Sequence, residues 1–402
     1  MRPNTARRSG ARSERSVRIV LVGTAYPMRG GIAHYIALLY RTLRRRGHRV
    51  SVLSFKRQYP SLLFPGKTQR DEGAEMIPVE SHPLLDTVNP VSWIHGFLWL
   101  KRARPDAVLF KYWMPFFAPC YASLAFALKT LLRIPVLFLC DNVIPHEKKP
   151  MDLWLTRLAL RFPDAFIVQS RTVLSELRSF RPGARSRLVP HPVYEIFPKP
   201  VARAEARRRL GIRDGRVILF FGYIRAYKGL RTLLEALPEI IKRLQVRLVV
   251  CGEFYEGRAE THALIERLGV RGSVTLNDRF IPNDEVADYF CASDLVVLPY
   301  VSATQSGIAQ IAYFYDRPVV ATTVGGLPEM VRDGRTGYLV PPENPGALAG
   351  AVLKFYGENR AAFFEKNISV EKKKYSWDRM AETVEDLTAE LLLRAQNRLI
   401  DQ

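Results

Sequence analysis

The 402-residue sequence contains only four cysteines. They lie far apart, form no Cys-x-x-Cys pair and have apolar neighbours: Cys120, Cys140, Cys251 and Cys291. Disulfide-rich scaffolds and cysteine-based zinc sites need closely spaced cysteines, so neither can be the basis of this fold. We expect reduced thiols in the cores of a cytosolic protein.

The sequence also lacks an apolar run that is both long and uninterrupted. The longest, residues 112–128, contains Pro115 and Pro119. Membrane spans need roughly 17–25 residues, and this run of 17 residues is at the lower limit. Because two prolines also interrupt it, we favour a buried crossover helix over a membrane span. The Arg-rich residues 1–16 lead into a short strand pattern and not into the apolar region of a signal peptide, which predicts a disordered basic tail.

Acidic residues are scarce in the first half of the chain. Residues 1–199 hold 32 Lys and Arg against 13 Asp and Glu, a net charge of +19, whereas residues 200–402 hold 28 against 26. A positive field confined to one half indicates an anionic partner, such as anionic lipid, a polyphosphate or nucleic acid. We expect docking on an anionic membrane surface through the tail and four cations, Arg41, Arg44, Arg45 and Arg46.

Short apolar, β-branched runs alternate with longer mixed segments from residue 17 onward, for example VRIVLVG at 17–23 and RVILFFG at 216–222. Such runs are typical of parallel strands covered by helices on both faces. Four prolines within residues 189–200 predict an extended linker between two α/β sheets. The predicted segments are a tail at 1–16, Rossmann-like domains at 17–195 and 196–375, and a final helix at 376–402.

Two paired-glycine loops each follow a predicted strand and precede a helix. Gly30 and Gly31 stand in YPMRGGI, and Gly325 and Gly326 stand in TTVGGLPEM. Glycine lets the backbone approach a ligand, and a helix N-terminus favours an anion. Glu329, close behind the second pair, fits either ribose hydroxyls or the helix dipole. Each loop alone is equally consistent with an ordinary tight turn.

Two cations stand close together in FFGYIRAYKGL, after another predicted strand. Arg225 and Lys228 are near enough to converge on one diphosphate, and Gly222 keeps the loop compact. Two cations in a loop are also often merely solvated. This segment is a further candidate for an anion site.

A helix start follows the predicted strand DLVVLPY. Ser306 and Gly307 stand at that start in SATQSGI, where a cap binds phosphate through backbone N–H groups, and Gln305 precedes them. A plain helix cap explains the same residues. The turn CDNVIPHE offers His146 for proton transfer or a sugar hydroxyl, or alternatively as a surface partner of Glu147.

In their order along the chain, these segments resemble the retaining glycosyltransferases of family 4. The matching elements are YPMRGGIAHYIALLYRTLRRRGHRVSVLS, DNVIPHE, VPHPV, FGYIRAYKGL and PVVATTVGGLPEMVRDGRTGYLVPPEN. The resemblance covers residues 17 to about 395. It implies a GT-B fold of two facing Rossmann-like domains, with the donor diphosphate held mainly by the second domain and the acceptor by the first. It also implies that the final helix returns to the first domain.

The resemblance assigns roles to single residues. Lys228 matches the diphosphate-binding lysine, Gly30 and Gly31 match the first-domain glycine loop, and His146 matches a histidine in the Pro-His-Glu form of its turn. The glycine-rich donor segment is matched by Gly325, Gly326 and Glu329.

The sequence departs from the family at two points. Most members carry two glutamates where Ala303 and Ile311 stand here, and this chain looks like a subgroup with Gln-Ser-Gly, in which Gln305 contacts the sugar. The arginine usually found five residues before the lysine is Tyr223, and Arg225 is its expected substitute.

The resulting expectation is a glycosyltransferase that moves a hexose from a UDP-sugar or GDP-sugar with retention to a lipid-linked or glycan acceptor. We expect no metal ion and no other cofactor, because no Asp-x-Asp follows a strand and the cations neutralise the diphosphate. The expected setting is cell-envelope polysaccharide synthesis at the inner face of the cytoplasmic membrane. The alternative is a non-catalytic nucleotide-sugar-binding accessory subunit. Nucleic-acid binding is disfavoured because the cations have no interleaved aromatic residues.

Overall fold

The computed structural model describes residues 16–60, 69–70, 77–145, 150–212 and 215–400, with side chains up to residue 397. Two sheets follow each other along the chain, and every strand pair in both is parallel. The prediction of an α/β fold with two doubly wound parallel sheets is therefore confirmed.

The first sheet has seven strands in the order β3-β2-β1-β4-β5-β6-β7. The strands are β1 (Arg18–Val22), β2 (Arg49–Arg57), β3 (Ser81–Asp86), β4 (Ala107–Tyr112), β5 (Val136–Cys140), β6 (Ala165–Val168) and β7 (Ser186–Leu188). Their continuous apolar runs are buried on both faces, as expected of a parallel sheet covered by helices.

Five α-helices connect these strands: α1 (Gly31–Arg45), α2 (Pro90–Ala103), α3 (Ala118–Ala127), α4 (Asp152–Leu160) and α5 (Arg171–Phe180). Side chains of β1 alternate between the two faces. Ile19 and Leu21 pack in the same core as α1, whereas Val20 and Val22 pack in the core shared with α2 to α5. Thus α1 covers one face of the sheet and the other four helices cover the opposite face.

The apolar run at residues 112–128 takes a form that differs from the prediction. It does connect β4 to β5, through a 3₁₀ turn (Pro115–Phe117), α3 and a π-helical turn (Leu128–Leu132). The segment Pro115–Leu132 is long and apolar enough to cross a membrane by length and composition, but only 50% of it is buried. Phe126 and Leu131 are exposed at its outer side, so the helix is not fully buried.

The second sheet has six strands in the order β10-β9-β8-β11-β12-β13. They are β8 (Arg216–Phe221), β9 (Val246–Cys251), β10 (Val274–Asn277), β11 (Leu295–Leu298), β12 (Val319–Thr322) and β13 (Gly337–Val340). The helices are α6 (Arg203–Arg209), α7 (Leu230–Ile241), α8 (Arg258–Arg267), α9 (Val286–Ala292), α10 (Gly307–Phe314), α11 (Leu327–Met330), α12 (Pro345–Gly357), α13 (Ala361–Glu371) and α14 (Trp377–Ile400).

The linker and α14 join the two halves into one core. Tyr194, Ile196 and Phe197 of the linker are buried in a cluster that runs from α1 into the second sheet. The indole of Trp377 donates a 2.7 Å hydrogen bond to the Val193 carbonyl. The domain boundaries after residues 195 and 375 stay predictions. Ile196 and Tyr375, which adjoin these boundaries, both belong to the core that the two domains share.

The last helix also packs against α1 of the first domain. The guanidinium of Arg46 lies 2.6 Å from a Glu385 carboxylate oxygen, and that of Arg45 lies 2.7 Å from Asp378. Two of the four cations expected to dock on a membrane are therefore paired within the molecule. Residues 1–15 of the predicted tail lie outside the described residues.

Candidate active site

The two domains meet where the strands of both sheets end, which is the usual ligand position in open α/β sheets. Three side chains at the ends of β5 and β6 contact the loop after β11. The Gln305 amide donates hydrogen bonds of 2.9 Å to Asp141 and 2.8 Å to Gln169, and the Thr304 hydroxyl donates to Asn142. These hydrogen bonds join the carboxyl ends of β5 and β6 to the loop after β11 of the second domain.

The N-termini of two helices face each other across the cleft between the domains. Helix α1 begins at Gly31 and α10 begins at Gly307, and the ring of Tyr194 contacts both. A methyl group would stand 3.1 Å from the Tyr194 hydroxyl at Gly31 and 3.1 Å from the Tyr194 ring at Gly307. Free N–H groups and the positive ends of two helix dipoles are thus directed at one place. The structure brings Gly30, Gly31 and Gly307 together, as an anion site requires.

Lys228 and Ser306 come together through one tyrosine that the sequence did not single out. The ammonium of Lys228 lies 4.0 Å from the centre of the Tyr300 ring, and the Tyr300 and Ser306 hydroxyls are 3.2 Å apart. Ser306 also caps α10 by accepting a hydrogen bond from the Ala309 amide. The lysine, the cap and the helix N-terminus therefore form a single cluster.

The environment of Lys228 suits an anionic ligand. Burial lowers the pKa of its ammonium; Tyr227 opposes this shift, and the nearby charge of Arg225 adds to it. No carboxylate among the described residues pairs with this lysine. The guanidinium of Arg225 lies over the Tyr255 ring at 5.1 Å. Two adjacent cations that repel each other gain stability when a shared anion binds.

Three of the predicted glycines act by letting segments pack closely. Gly222 has a φ of +106°, and a methyl group there would lie 3.2 Å from Ile308 at the start of α10. A methyl group would fall 1.6 Å from the Ala303 carbonyl oxygen at Gly325 and 2.5 Å from the Thr304 oxygen at Gly326. These glycines let the loop after β12 pack against the loop that carries Ser306.

Two predicted ligand-binding side chains hold the other domain in this structure. Besides the contacts of Gln305 already described, one carboxylate oxygen of Glu329 accepts a 2.8 Å hydrogen bond from the Arg171 amide at the start of α5. The Gln305 amide oxygen is buried without a partner among the described residues. Contacts of these two side chains with sugar or ribose stay predictions. To bind a donor, each side chain would have to give up its present hydrogen bonds to the first domain.

The expected departure from the paired glutamates is also visible. Ala303 and Ile311 are 7% and 5% exposed and belong to the shared core. The space at both positions is therefore apolar. His146, the predicted catalytic histidine, lies outside the described residues. No group of three or more His, Cys, Asp or Glu within the described ranges could hold a metal ion.

A buried ion pair lies beneath the cleft. The Lys111 ammonium is 2.5 Å from the Asp141 carboxylate and 3.4 Å from the centre of the Tyr35 ring, and its side chain is 0% exposed. Burial lowers the pKa of Lys111, and Asp141 opposes the shift. His191 in the linker is buried close by, and its pKa falls to about 4, chiefly through burial and then through the Lys111 charge.

Sequence reasoning missed a second contact between the domains. The Arg29 guanidinium lies 2.7 Å from the Glu253 carboxylate, with side chains 4% and 3% exposed, and over the Phe280 ring at 5.0 Å. Arg29 stands within the YPMRGGI loop, directly before the glycine pair. Its partner is more than 200 residues away, so no local pattern identifies the pair.

Two family models match this chain. Residues 30–193 match the model described as "Glycosyl transferase 4-like domain", and residues 215–358 match "Glycosyl transferases group 1". The first segment spans strands β2 to β7 of the first sheet, and the second spans all six strands of the second sheet. Together they account for well over half of the chain.

Curated relatives agree with these models. The chain is 26% identical to a D-inositol 3-phosphate glycosyltransferase of Acidothermus cellulolyticus, over 92% of this chain and 88% of that protein. It is 34% identical to an uncharacterized glycosyltransferase of Methanocaldococcus jannaschii, over 44% of this chain and 46% of that protein. The higher identity is thus confined to about half of the chain.

Solved structures share the fold at low sequence identity. A sucrose-phosphate synthase from Thermosynechococcus elongatus has a TM-score of 0.75 and 20% identity, over 94% of this chain and 100% of that chain. Anabaena HepE, solved in complex with UDP, has a TM-score of 0.71 and 18% identity, over 93% and 100%. The two family models show that the chain is an enzyme of the family 4 glycosyltransferases, and the solved structures show that it has the GT-B fold.

Proposed function

We propose that this glycosyltransferase moves a hexose from a nucleoside diphosphate sugar, UDP- or GDP-linked, to a lipid-linked or glycan acceptor. The observation that carries the proposal is the cluster of Lys228, Ser306 and the α10 N-terminus around Tyr300, with the charge of Arg225 close by. Such a cluster suits a pyrophosphate. The UDP complexes of the structurally similar HepE support the same class of donor.

In the proposed mechanism the bond between the anomeric carbon and the diphosphate oxygen breaks, and negative charge develops on the leaving diphosphate. Lys228 supplies a point charge, Arg225 a forked donor and the start of α10 free N–H groups. The acceptor hydroxyl forms the new bond to the anomeric carbon with retention and passes its proton to the leaving diphosphate, without an enzyme nucleophile and without a metal ion. His146 is proposed to bind a sugar hydroxyl or to take part in proton transfer.

The proposed setting is the inner face of the cytoplasmic membrane, in the synthesis of a cell-envelope polysaccharide or glycolipid. The net charge of +19 on residues 1–199 supports an anionic surface as partner. The Gln-Ser-Gly subgroup also stays a proposal, supported by the apolar environment of Ala303 and Ile311.

The test is sugar transfer by the full chain, with a panel of UDP- and GDP-sugars, a lipid extract as acceptor and mass spectrometry as readout. We expect Lys228→Ala to lower kcat by about 10²–10³-fold, as expected for loss of one preorganised charge-stabilising group. Arg225→Ala should lower kcat in the same direction. Lys242→Ala, an exposed lysine at the end of α7, is the matched control and should leave kcat unchanged.

Unchanged transfer in both Lys228→Ala and Arg225→Ala would overturn the assigned roles. Donor binding by the unaltered chain without transfer to any acceptor in the extract would instead favour the accessory-subunit alternative.

A further inference from the structure

The large apolar side chains exposed by the described residues are unevenly distributed. Most lie on the first domain, and seven of them belong to α2, α3, the π-helical turn and α4: Val91, Ile94, Leu98, Phe126, Leu131, Leu153 and Trp154. The second domain exposes Phe363 and Val370 on α13, within residues 215–375. A concentration of this kind on one domain marks an interaction surface.

The seven side chains share one layer. Helices α2 and α4 both pack against α3, and all three contribute to the same core on one face of the first sheet. On α2 the exposed residues are spaced as Val91, Ile94 and Leu98, which is a single stripe of the helix. Trp154 on α4 is 58% exposed. The outer side of these helices, which we call the α2–α4 face, is therefore apolar where water would favour polar residues.

Cations collect at one edge of this face. They lie at or just after the C-terminal ends of the helices: Lys101, Arg102, Arg104, Lys129, Arg133, Arg157 and Arg161. Helices that cross between parallel strands run in the same direction, so these ends lie along the same edge. The sequences of α2, α3, the π-helical turn and α4 contain one acidic residue, Asp152.

The basic edge is also indented. One depression of about 370 Å³ is lined by Arg18, Lys101 and Arg104, and one of about 530 Å³ by Leu98 with Lys101, Arg102 and Arg104. The second joins the apolar stripe of α2 directly to its cations. Part of this charge stabilises the helix C-termini, and Lys129 pairs with Asp164. The excess of positive charge beside exposed apolar groups remains.

We infer that the α2–α4 face docks this enzyme on an anionic lipid bilayer. The apolar side chains enter the interface between headgroups and acyl chains, and the cations of the basic edge meet lipid phosphates. Binding of this face to a bilayer does not depend on the proposed function. Only the idea that docking brings the enzyme to a lipid-linked acceptor rests on that function. Helix α2 begins just after the carboxyl end of β3, on the cleft side, so the docked face would reach the rim of the active site.

This surface is an alternative to the one expected from the sequence. Arg45 and Arg46 lie at the end of α1, on the opposite face of the sheet, and pair with Asp378 and Glu385 of α14. A bilayer has to compete with these carboxylates for the two arginines. On the described part of the basic edge, Arg18 pairs with Asp106 and Lys129 with Asp164, whereas Lys101, Arg102 and Arg104 at the end of α2 have no ion pair among the described residues.

The test is co-sedimentation of the full chain with phosphatidylcholine vesicles, with and without about one third phosphatidylglycerol. We expect stronger binding to the anionic vesicles, and a fall of about tenfold or more when Ile94→Glu and Leu98→Glu are combined, because two apolar side chains are replaced by anions. The matched control combines Phe363→Glu and Val370→Glu on α13 and should change binding less than twofold.

A second readout locates the face directly. Brominated lipids should lower the tryptophan fluorescence of the full chain, and the loss of fluorescence should be smaller in Trp154→Phe. UDP binding measured in solution should be the same for the unaltered chain and both double variants, which separates failure of docking from failure of the proposed function.

Three results would overturn the inference. One is vesicle binding that survives Ile94→Glu with Leu98→Glu but is lost in Arg41→Glu with Arg44→Glu. Another is binding that ignores anionic lipid. The third is a dimer of the unaltered chain that the α2 double variant converts to a monomer, because the face would then be an interface between protein chains.

Discussion

The two domains share one architecture but differ in charge and in exposed surface. The first half of the chain carries a net charge of +19 and the second half +2. The first domain also exposes the apolar α2–α4 face, whereas Lys228 and Ser306 of the second domain turn towards the cleft. A small anion needs a few fixed groups, and a broad anionic surface needs many. The difference fits the proposal that the second domain binds the donor and the first domain docks on a membrane.

The domains also differ in how exposed the cations are that pair with their buried aspartates. Asp141 of the first domain pairs with Lys111, whose side chain is 0% exposed. Asp294 of the second domain pairs with Arg203 and Arg207, whose side chains are 42% and 14% exposed. One carboxylate neutralises a fully buried cation, and the other neutralises cations that reach water.

The largest expected effect follows from this difference. Asp141→Asn leaves the Lys111 ammonium buried without a counter-charge, which should lower the free energy of unfolding by about 3–5 kcal/mol. Asp294→Asn should cost less, about 1–3 kcal/mol, because its arginines can turn towards solvent. Urea unfolding followed by circular dichroism measures both values.

A double replacement makes this comparison sharper. Lys111→Met with Asp141→Leu removes both charges, so it should be less destabilising than Asp141→Asn alone. Equal losses for Asp141→Asn and Asp294→Asn would show that burial of the partner cation does not decide the energy.

Apolar, β-branched runs predict the central strands of both sheets, such as β1 and β8, but no such run marks strand β3. Strand β3 contains Pro83, which cannot donate a ladder hydrogen bond and is tolerated because β3 is the edge strand. Its helix α2 was missed with it. A weak strand at a sheet edge leaves no strong periodic signal.

The candidate site was predictable only where residues act locally. Ser306 as a helix cap and the position of Lys228 after a strand both follow from local pattern. The contacts of Gln305 with Asp141 and of Arg29 with Glu253 do not, because they depend on how the two domains face each other. Pairing between distant segments requires the fold.

An effect of intermediate size is expected on the pH dependence of stability, through His191 in the linker between the domains. His191 of the linker faces Tyr35, Tyr194, Lys111 and Asp141, and its pKa is about 4 in the folded chain against an ordinary 6.5. The unfolded chain therefore binds a proton at pH values where the folded chain does not. Stability from this group is complete above about pH 6.5 and should fall by up to roughly 3 kcal/mol as the pH falls to about 4.

Urea unfolding at a series of pH values tests this expectation. His191→Gln should flatten the pH dependence between about 6.5 and 4. His262→Gln, which changes an exposed histidine on α8 of the second domain, is the control and should leave the dependence as it is. An unchanged slope in His191→Gln would show that other groups govern the acid sensitivity.

The smallest expected effect distinguishes glycines that face the cleft from glycines that only shape the chain. Gly325 of the second domain has a backbone oxygen in front of it, whereas Gly30 of the first domain, at a φ of +109°, has open space. A methyl group in Gly30→Ala would enter that space at the start of α1, where we place part of the anion site. We expect UDP affinity to fall about tenfold, or about 1.4 kcal/mol, by titration calorimetry.

Gly47 supplies the matched control for this substitution. It also has a positive φ, +91°, and open space around it, but it lies in the turn after the far end of α1. Both alanine variants should lose a similar stability, about 1–3 kcal/mol, because alanine is strained at these backbone angles. Only Gly30→Ala should weaken UDP binding. Equal UDP affinity in the two variants would remove the α1 N-terminus from the donor site and leave the diphosphate to the second domain alone.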